Sequence, residues 1–151
     1  MPGHQVSIAN ATHADCPACA ELLIAQLAEH EVTVTAAQLL PILEKVVADP
    51  KLGFLLLARD DSQIIGVAYA ATLLSAEHCG FVCSLEELYV SPAARSRGVG
   101  SMLLTAVLEK AKATGMIAIH LEVDAAHHKV LSLYQRFGFR DLNRTRWFLN
   151  F

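Results

Sequence analysis

The sequence predicts a single domain spanning residues 1–151, of the α/β class with helices and strands mixed along the chain. Three observations predict it. Apolar residues switch repeatedly between a spacing of two and a spacing near 3.6, in the order β α α β β β α β α β β. The middle of the chain reads as a strand meander. One strand–helix–strand unit spans about residues 84 to 123, which adds a parallel pair to an otherwise antiparallel set. The expectation is a mixed, mostly antiparallel sheet of about seven strands flanked by four helices.

The first strand is "QVSIANA", which alternates. Asp15 is a candidate N-cap, and Ala20, Leu23, Ile24 and Leu27 recur at helical spacing, which predicts a helix over 16–30. A second helix starts near Thr35, where Gln38 completes a capping box, and Leu39, Ile42, Leu43 and Val46 share a face. Pro41 lies beyond a regular first turn, so a kink or a later start is expected. "GFLLLARD" and "IIGVAYAATLL" flank the turn residues "DDSQ" and predict a hairpin over 53–74, followed by the strand "FVCSLEELYV". Val99, Met102, Leu103, Ala106 and Val107 define a helix that Gly115 can end. "MIAIHLEV" is a strand, "HKVLSLYQRF" a short helix stopped by Gly138, and "FRDL" and "RTRWFLNF" the last two strand candidates.

Composition narrows the function classes. The chain is 54% hydrophobic and 18% charged, as a folded domain requires, and its net charge of −3 argues against nucleic-acid binding. No apolar run is long enough to span a bilayer, and "MPGHQVSIANAT" lacks a basic region followed by an apolar one, so no membrane partner and a cytoplasmic location are expected. There are four cysteines. Cys16 and Cys19 have redox-motif spacing but follow a turn rather than a strand inside a βαβ unit. They read as buried thiols; Cys79 and Cys83 are spaced too widely for the second half of a zinc site, and no metal is expected.

The stretch "YVSPAARSRGVGSMLL" carries the chemistry. A strand runs into a short loop, Arg95-x-x-Gly98-x-Gly100, and then a helix. A helix N-terminus presents unpaired N–H groups and the positive end of its dipole, so it holds phosphate where the backbone can approach closely. Gly98 and Gly100 clear that approach, while Arg95 and Arg97 add positive charge. The loop lacks the Gly-Lys-Ser/Thr ending of one phosphate cradle and the third glycine of another. Taken alone, it is equally a tight turn with two solvated arginines.

"HHKVLSLYQRFGF" follows, with a tyrosine within a short helix and then Phe-Gly-Phe. The two motifs, in this order and at this distance, resemble those of the GNAT superfamily of N-acetyltransferases across essentially the whole chain. The resemblance implies acetyl-CoA as co-substrate. Its pyrophosphate would lie on the backbone amides of Ser96, Arg97, Gly98, Val99, Gly100 and Ser101, with Arg95 matching the first Arg/Gln of the family signature. Backbone groups of Leu88, Tyr89 and Val90 would pair with the pantetheine arm and acetyl carbonyl like an added strand. Tyr134 would protonate the departing thiolate, and His127 stands where many members carry Asn. "ATHADCPACAELLIAQLAEHE", "LEELYVSPAARSRGVGS" and "RWFLNF" look most like the diamine and polyamine acetyltransferases.

Acetyl transfer to an amine needs a base for the ammonium, a donor for the carbonyl oxygen and an acid for the thiolate. A phenol of ordinary pKa about 10 suits a thiol of ordinary pKa about 8.5. Glu86 and Glu87 are the candidate bases. Unbroken alternation puts Glu86 on a face with Leu88 and Val90, which makes Glu86 the expected base or amine-binder for a direct attack, with Glu87 the alternative because a bulge would reverse the parity. The expected function is acetyl transfer to a small primary amine, polyamine-like or amino-acid-like. The competing functions are acetylation of a protein N-terminus or lysine, and a non-enzymatic acyl-CoA-binding domain. The apolar C-terminus, with Trp147, Phe148 and Phe151, predicts a homodimer.

Overall fold

The structure, a computed structural model, describes residues 5–151. The first four residues, part of the N-terminal stretch read for a leader, lie outside it. The chain forms two compact units, one ending at Leu121 and one over Glu122–Phe151.

The first unit carries β1 (Val6–Asn10), α1 (Cys16–Glu29), α2 (Ala36–Ala48), β2 (Gly53–Asp60), β3 (Gln63–Ser75), β4 (Gly80–Val90), α3 (Val99–Ala113) and β5 (Ala118–His120). The strands form one sheet in the order β1-β2-β3-β4-β5; β1 to β4 pair antiparallel and β5 pairs parallel to β4. The β2–β3 turn is the predicted one, with Asp61 at φ 53°, a conformation that aspartate tolerates.

One face of the sheet is covered by α1 and α2. Cys16, Cys19, Ala20 and Leu23 of α1 and Leu43 of α2 are buried against Leu55, Leu57, Val67 and Tyr89. The other face is covered by α3, where Leu103 lies against Gly66 so closely that a Cβ there would sit 3.0 Å from the Leu103 side chain. The capping box of α2 is as predicted, Thr35 and Gln38 each meeting the other's backbone. Pro41, however, neither delays nor breaks α2, which starts at Ala36 and runs through it. The proline is exposed, so its ring meets solvent and only one helical hydrogen bond is lost. Gly115 follows α3 at φ 80°, and Met116 N–H reaches back to Ala111 O, the predicted left-handed stop.

The second unit contains a tight turn at Ala125–Val130, α4 (Leu131–Arg136) and an irregular tail. Gly138, at φ 89°, ends α4 as expected, with Phe139 N–H donating to Tyr134 O.

Five strands stand where about seven were predicted. Neither "FRDL" nor "RTRWFLNF" is a strand among the described residues. The composition of "RTRWFLNF" favours a strand, but its apolar residues are consecutive rather than alternating. Trp147, Phe148 and Leu149 are 90%, 81% and 75% exposed, so no buried face fixes a register. Asn143, at φ 54°, turns the chain between the two segments.

Candidate active site

The site in the first unit is built on the far end of β4. β5 pairs only with Val82, Cys83 and Ser84, so no strand covers that edge of β4 from Leu85 onward among the described residues. Ser91 N–H donates to Ile65 O on β3. Antiparallel alternation therefore directs the backbone of Glu87 and Tyr89 toward β3, and that of Leu88 and Val90 toward the open edge. Side chains meet two carbonyls on that edge. Gln26 Nε2 donates to Leu88 O at 3.4 Å and Arg95 Nε to Val90 O at 3.0 Å.

The register of β3 against β4 slips at Tyr69/Ala70, so that Tyr69 faces Glu87 and Ala70 faces Leu85. Glu86 is the extra residue of a bulge. The slip breaks the alternation on which the choice of Glu86 rested. Glu87 stays in line with Tyr89, on the face that α1 covers, while Glu86 is exposed and accepts a hydrogen bond from Ser84 Oγ. Burial, and then the charge of Glu86, push the Glu87 carboxyl up to about 7. Burial raises the Tyr69 hydroxyl too, helped by Glu86.

Beyond Val90 the chain turns through Pro92–Ala94 into the glycine loop. Ser96 has φ 62° and Gly98 φ 77°, while Arg97 between them has negative φ. Alternation of sign of this kind is the backbone signature of an anion-binding nest of N–H groups, and it stands at the start of α3. A Cβ on Gly98 would meet nothing within 4 Å, so glycine serves backbone conformation and open approach there. Neither arginine of the loop is a free cation. Arg95 Nη2 donates to Glu29 Oε1 at 3.0 Å and its guanidinium lies 5.2 Å from the Tyr89 ring centre. Arg97 Nη2 donates to Asp60 Oδ2 at 2.8 Å. The pairs tie the loop to α1 and to the end of β2. The nest and the uncovered β4 edge fit a diphosphate with an extended amide-bearing arm.

In the second unit, Asp124 caps the tight turn by accepting from Ala126 N–H at 3.0 Å, and His127 departs from helical geometry at φ −113°. Tyr134 is half-buried on α4, its ring edge-on to Phe139 at 5.7 Å between centres. The structure thus brings Glu86, Glu87, Leu88, Tyr89, Val90 and Arg95 to Ser101 together in one unit, and places His127 and Tyr134 in the other.

Sequence reasoning missed Gln26 and Glu29. Both lie on the face of α1 nearest β4. Gln26 is three residues after the buried Leu23 and is itself 9% exposed. A polar residue on a core stripe was the available signal.

A groove of about 720 Å³ between β1 and α3 borders the cradle at Ser101 but is lined by neither Glu86 nor Glu87.

Residues 18–139 match the sequence model of the acetyltransferase (GNAT) family, which is most of the chain. The chain belongs to the GNAT family. A mycothiol acetyltransferase of Renibacterium salmoninarum is 36% identical over 90 residues, covering 58% of this chain and 26% of that protein. An uncharacterized N-acetyltransferase of Escherichia coli, YjgM, is 26% identical over 83 residues, covering 55% and 48%. This GNAT chain therefore aligns with about half or less of either relative's length. Among solved structures, aminoglycoside N-acetyltransferase AAC(6')-Iy in complex with CoA superposes with a TM-score of 0.86 at 20% identity, over 99% of this chain and 98% of that one. An aminoglycoside acetyltransferase from an uncultured soil metagenomic sample, in complex with sisomicin, gives 0.76 at 16% identity, over 96% and 97%. At those identities the likeness concerns the GNAT fold.

Proposed function

We propose that the chain acts as one N-acetyltransferase domain that moves the acetyl group of acetyl-CoA to a primary amine on a small molecule. The observation that carries this reading is the uncovered edge of β4, which has a half-buried carboxyl at Glu87 and ends in the glycine loop of Ser96 to Ser101. The loop and the first turn of α3 would hold the pyrophosphate, and the outward backbone groups of Leu88 and Val90 the pantetheine arm. Acetyl-CoA supplies an acetyl group activated as a thioester. Glu87 takes the proton of the attacking ammonium, so that the nitrogen lone pair can form the new C–N bond. Glu86, one residue away, adds negative charge that draws an ammonium in. As the C–S bond breaks, Tyr134 supplies the proton that the thiolate takes up, and the second proton that the nitrogen loses in becoming an amide N–H passes to the phenolate or to water. His127 would meet the cofactor where relatives use Asn.

The paired carboxylates favour an acceptor carrying more than one ammonium, which covers polyamines as well as the aminoglycosides named in the similar structures. The exposed Trp147, Phe148 and Phe151 support a homodimer, and light scattering that returns a single 16.4 kDa species would overturn that assignment. The decisive experiment measures free-thiol release from acetyl-CoA with putrescine, spermidine, sisomicin, L-lysine and a lysine-bearing peptide. Release with a small amine and not the peptide is the expected result. Release only with the peptide would move the acceptor to protein. No release with any amine, while acetyl-CoA still raises the melting temperature, would make this a binding domain.

A further inference from the structure

We propose that Gln26, on α1, binds the acceptor amine. The inference rests on the acetyltransferase reading above and adds a residue to it. Gln26 is 9% exposed, and its Nε2 donates to Leu88 O on the uncovered edge of β4. Its Oε1 is buried and has no hydrogen-bond partner among the described residues. A buried acceptor left unmade is destabilising, so its retention calls for a role, and a catalytic or binding one is among those that native structures use.

The placement selects the donor. Leu88 follows Glu87 directly, and Glu87 lies on the face of β4 that α1 covers. A pantetheine arm added to the sheet edge runs in the plane of the sheet and meets backbone groups. Gln26 instead approaches Leu88 from the helix above that plane. An amine admitted between α1 and β4 would have the Glu87 carboxylate and the amide oxygen of Gln26 as its two acceptors. One N–H of the amine goes to Glu87 and is given up; a second stays with Gln26 Oε1. That bond would fix the nitrogen with its lone pair toward the sheet edge, where the acetyl carbon would lie.

The test compares wild-type protein with Gln26→Met, which keeps the shape of the side chain and removes its polar atoms, and with Gln26→Leu as a second variant. Melting temperature, acetyl-CoA affinity by calorimetry, and KM and kcat are measured with putrescine, spermidine, sisomicin and L-lysine. The expected result is a melting temperature within a few degrees of wild type, because removal of an unpartnered buried acceptor offsets the lost hydrogen bond to Leu88 O, and acetyl-CoA affinity within about twofold. KM for the amine should rise about tenfold, the scale of one hydrogen bond to a charged group. An unchanged amine KM in a folded variant overturns the inference while leaving the acetyltransferase reading intact. Loss of fold in both variants, or a parallel fall in melting temperature and acetyl-CoA affinity, assigns Gln26 to structure and overturns it as well. A wild-type protein that releases no thiol with any amine overturns the underlying reading, and this inference with it.

Discussion

Arg95 on the glycine loop donates to Glu29 on α1 at 3.0 Å, and the same Glu29 oxygen accepts from the Tyr89 hydroxyl at 3.1 Å. Burial works to raise the Glu29 carboxyl, but the hydrogen bonds from Arg95 and Tyr89 outweigh it and hold the group below its ordinary range. An arginine expected to face the phosphates is thereby committed to holding the loop. An isolated exposed pair contributes ~0–1 kcal/mol, but this guanidinium also meets Val90 O and the Tyr89 ring. Arg95→Ala and Glu29→Ala should each weaken acetyl-CoA binding about three- to tenfold, roughly 1 kcal/mol. The double variant should be hardly worse than either single one, because both remove the same anchor. Additive losses by calorimetry would mean that Arg95 contacts the cofactor independently.

Glu87 sets the pH response. A base pushed up to about 7 is half ionised there, so kcat/KM should fall about tenfold per unit below pH 7. An acceptor amine that is still protonated contributes its own rise at higher pH. The diagnostic is therefore that Glu87→Gln loses the limb near 7 together with about 10²- to 10⁴-fold of the rate. Glu86→Gln should move the midpoint down, because it removes the adjacent negative charge that helps to raise Glu87. Stability follows with the opposite sign. The folded carboxyl keeps its proton above the unfolded value of 4.5, so this contribution is present below 4.5 and lost as pH rises through about 7. At pH 8, Glu87→Gln should be more stable by ~1–2 kcal/mol, less than the full shift because water still screens the carboxyl.

Much of this was legible in the sequence, and the failures have physical causes. The capping box at Thr35, the turn at Asp61 and the stops at Gly115 and Gly138 are local, so residue identity decides them. The glycine loop is local too. The position of Glu86 and Glu87 depends on a register slip against Tyr69, seventeen residues away across a turn, and no β4 residue announces it. The partners of Arg95 and Arg97 come from α1 and β2, since long-range pairing lies outside any motif window. The last strands failed for a related reason, since strand composition describes a segment but a ladder requires a neighbour.

The thiols supply an inexpensive check on the α1 core. Cys16, Cys19 and Cys83 are fully buried, and burial pushes the Cys19 thiol up to about 12 and Cys83 up to about 11. Cys79 is exposed in the β3–β4 turn. The thiolate is the reactive form, so a native protein at pH 8 should titrate one thiol quickly with a disulfide reagent and release the other three only on unfolding. Rapid reaction of Cys16 and Cys19 would revive a redox role for that pair.

Tyr134 is tested by removing its hydroxyl alone. Its ring packs edge-on against Phe139, a contact that phenylalanine keeps, so Tyr134→Phe should stay folded and lose no more than one hydrogen bond's worth of stability, about 1 kcal/mol. Acid assistance to a departing thiolate contributes about 10²-fold or more, and kcat at neutral pH should fall by that factor while acetyl-CoA affinity stays within about twofold. The leaving group refines the test. A thioester whose thiol is more acidic than that of CoA needs less protonation as it departs, so the deficit of the variant should shrink with an aryl thioester. A constant deficit across thioesters would assign Tyr134 to packing or positioning, and an unchanged kcat would remove it from the reaction altogether.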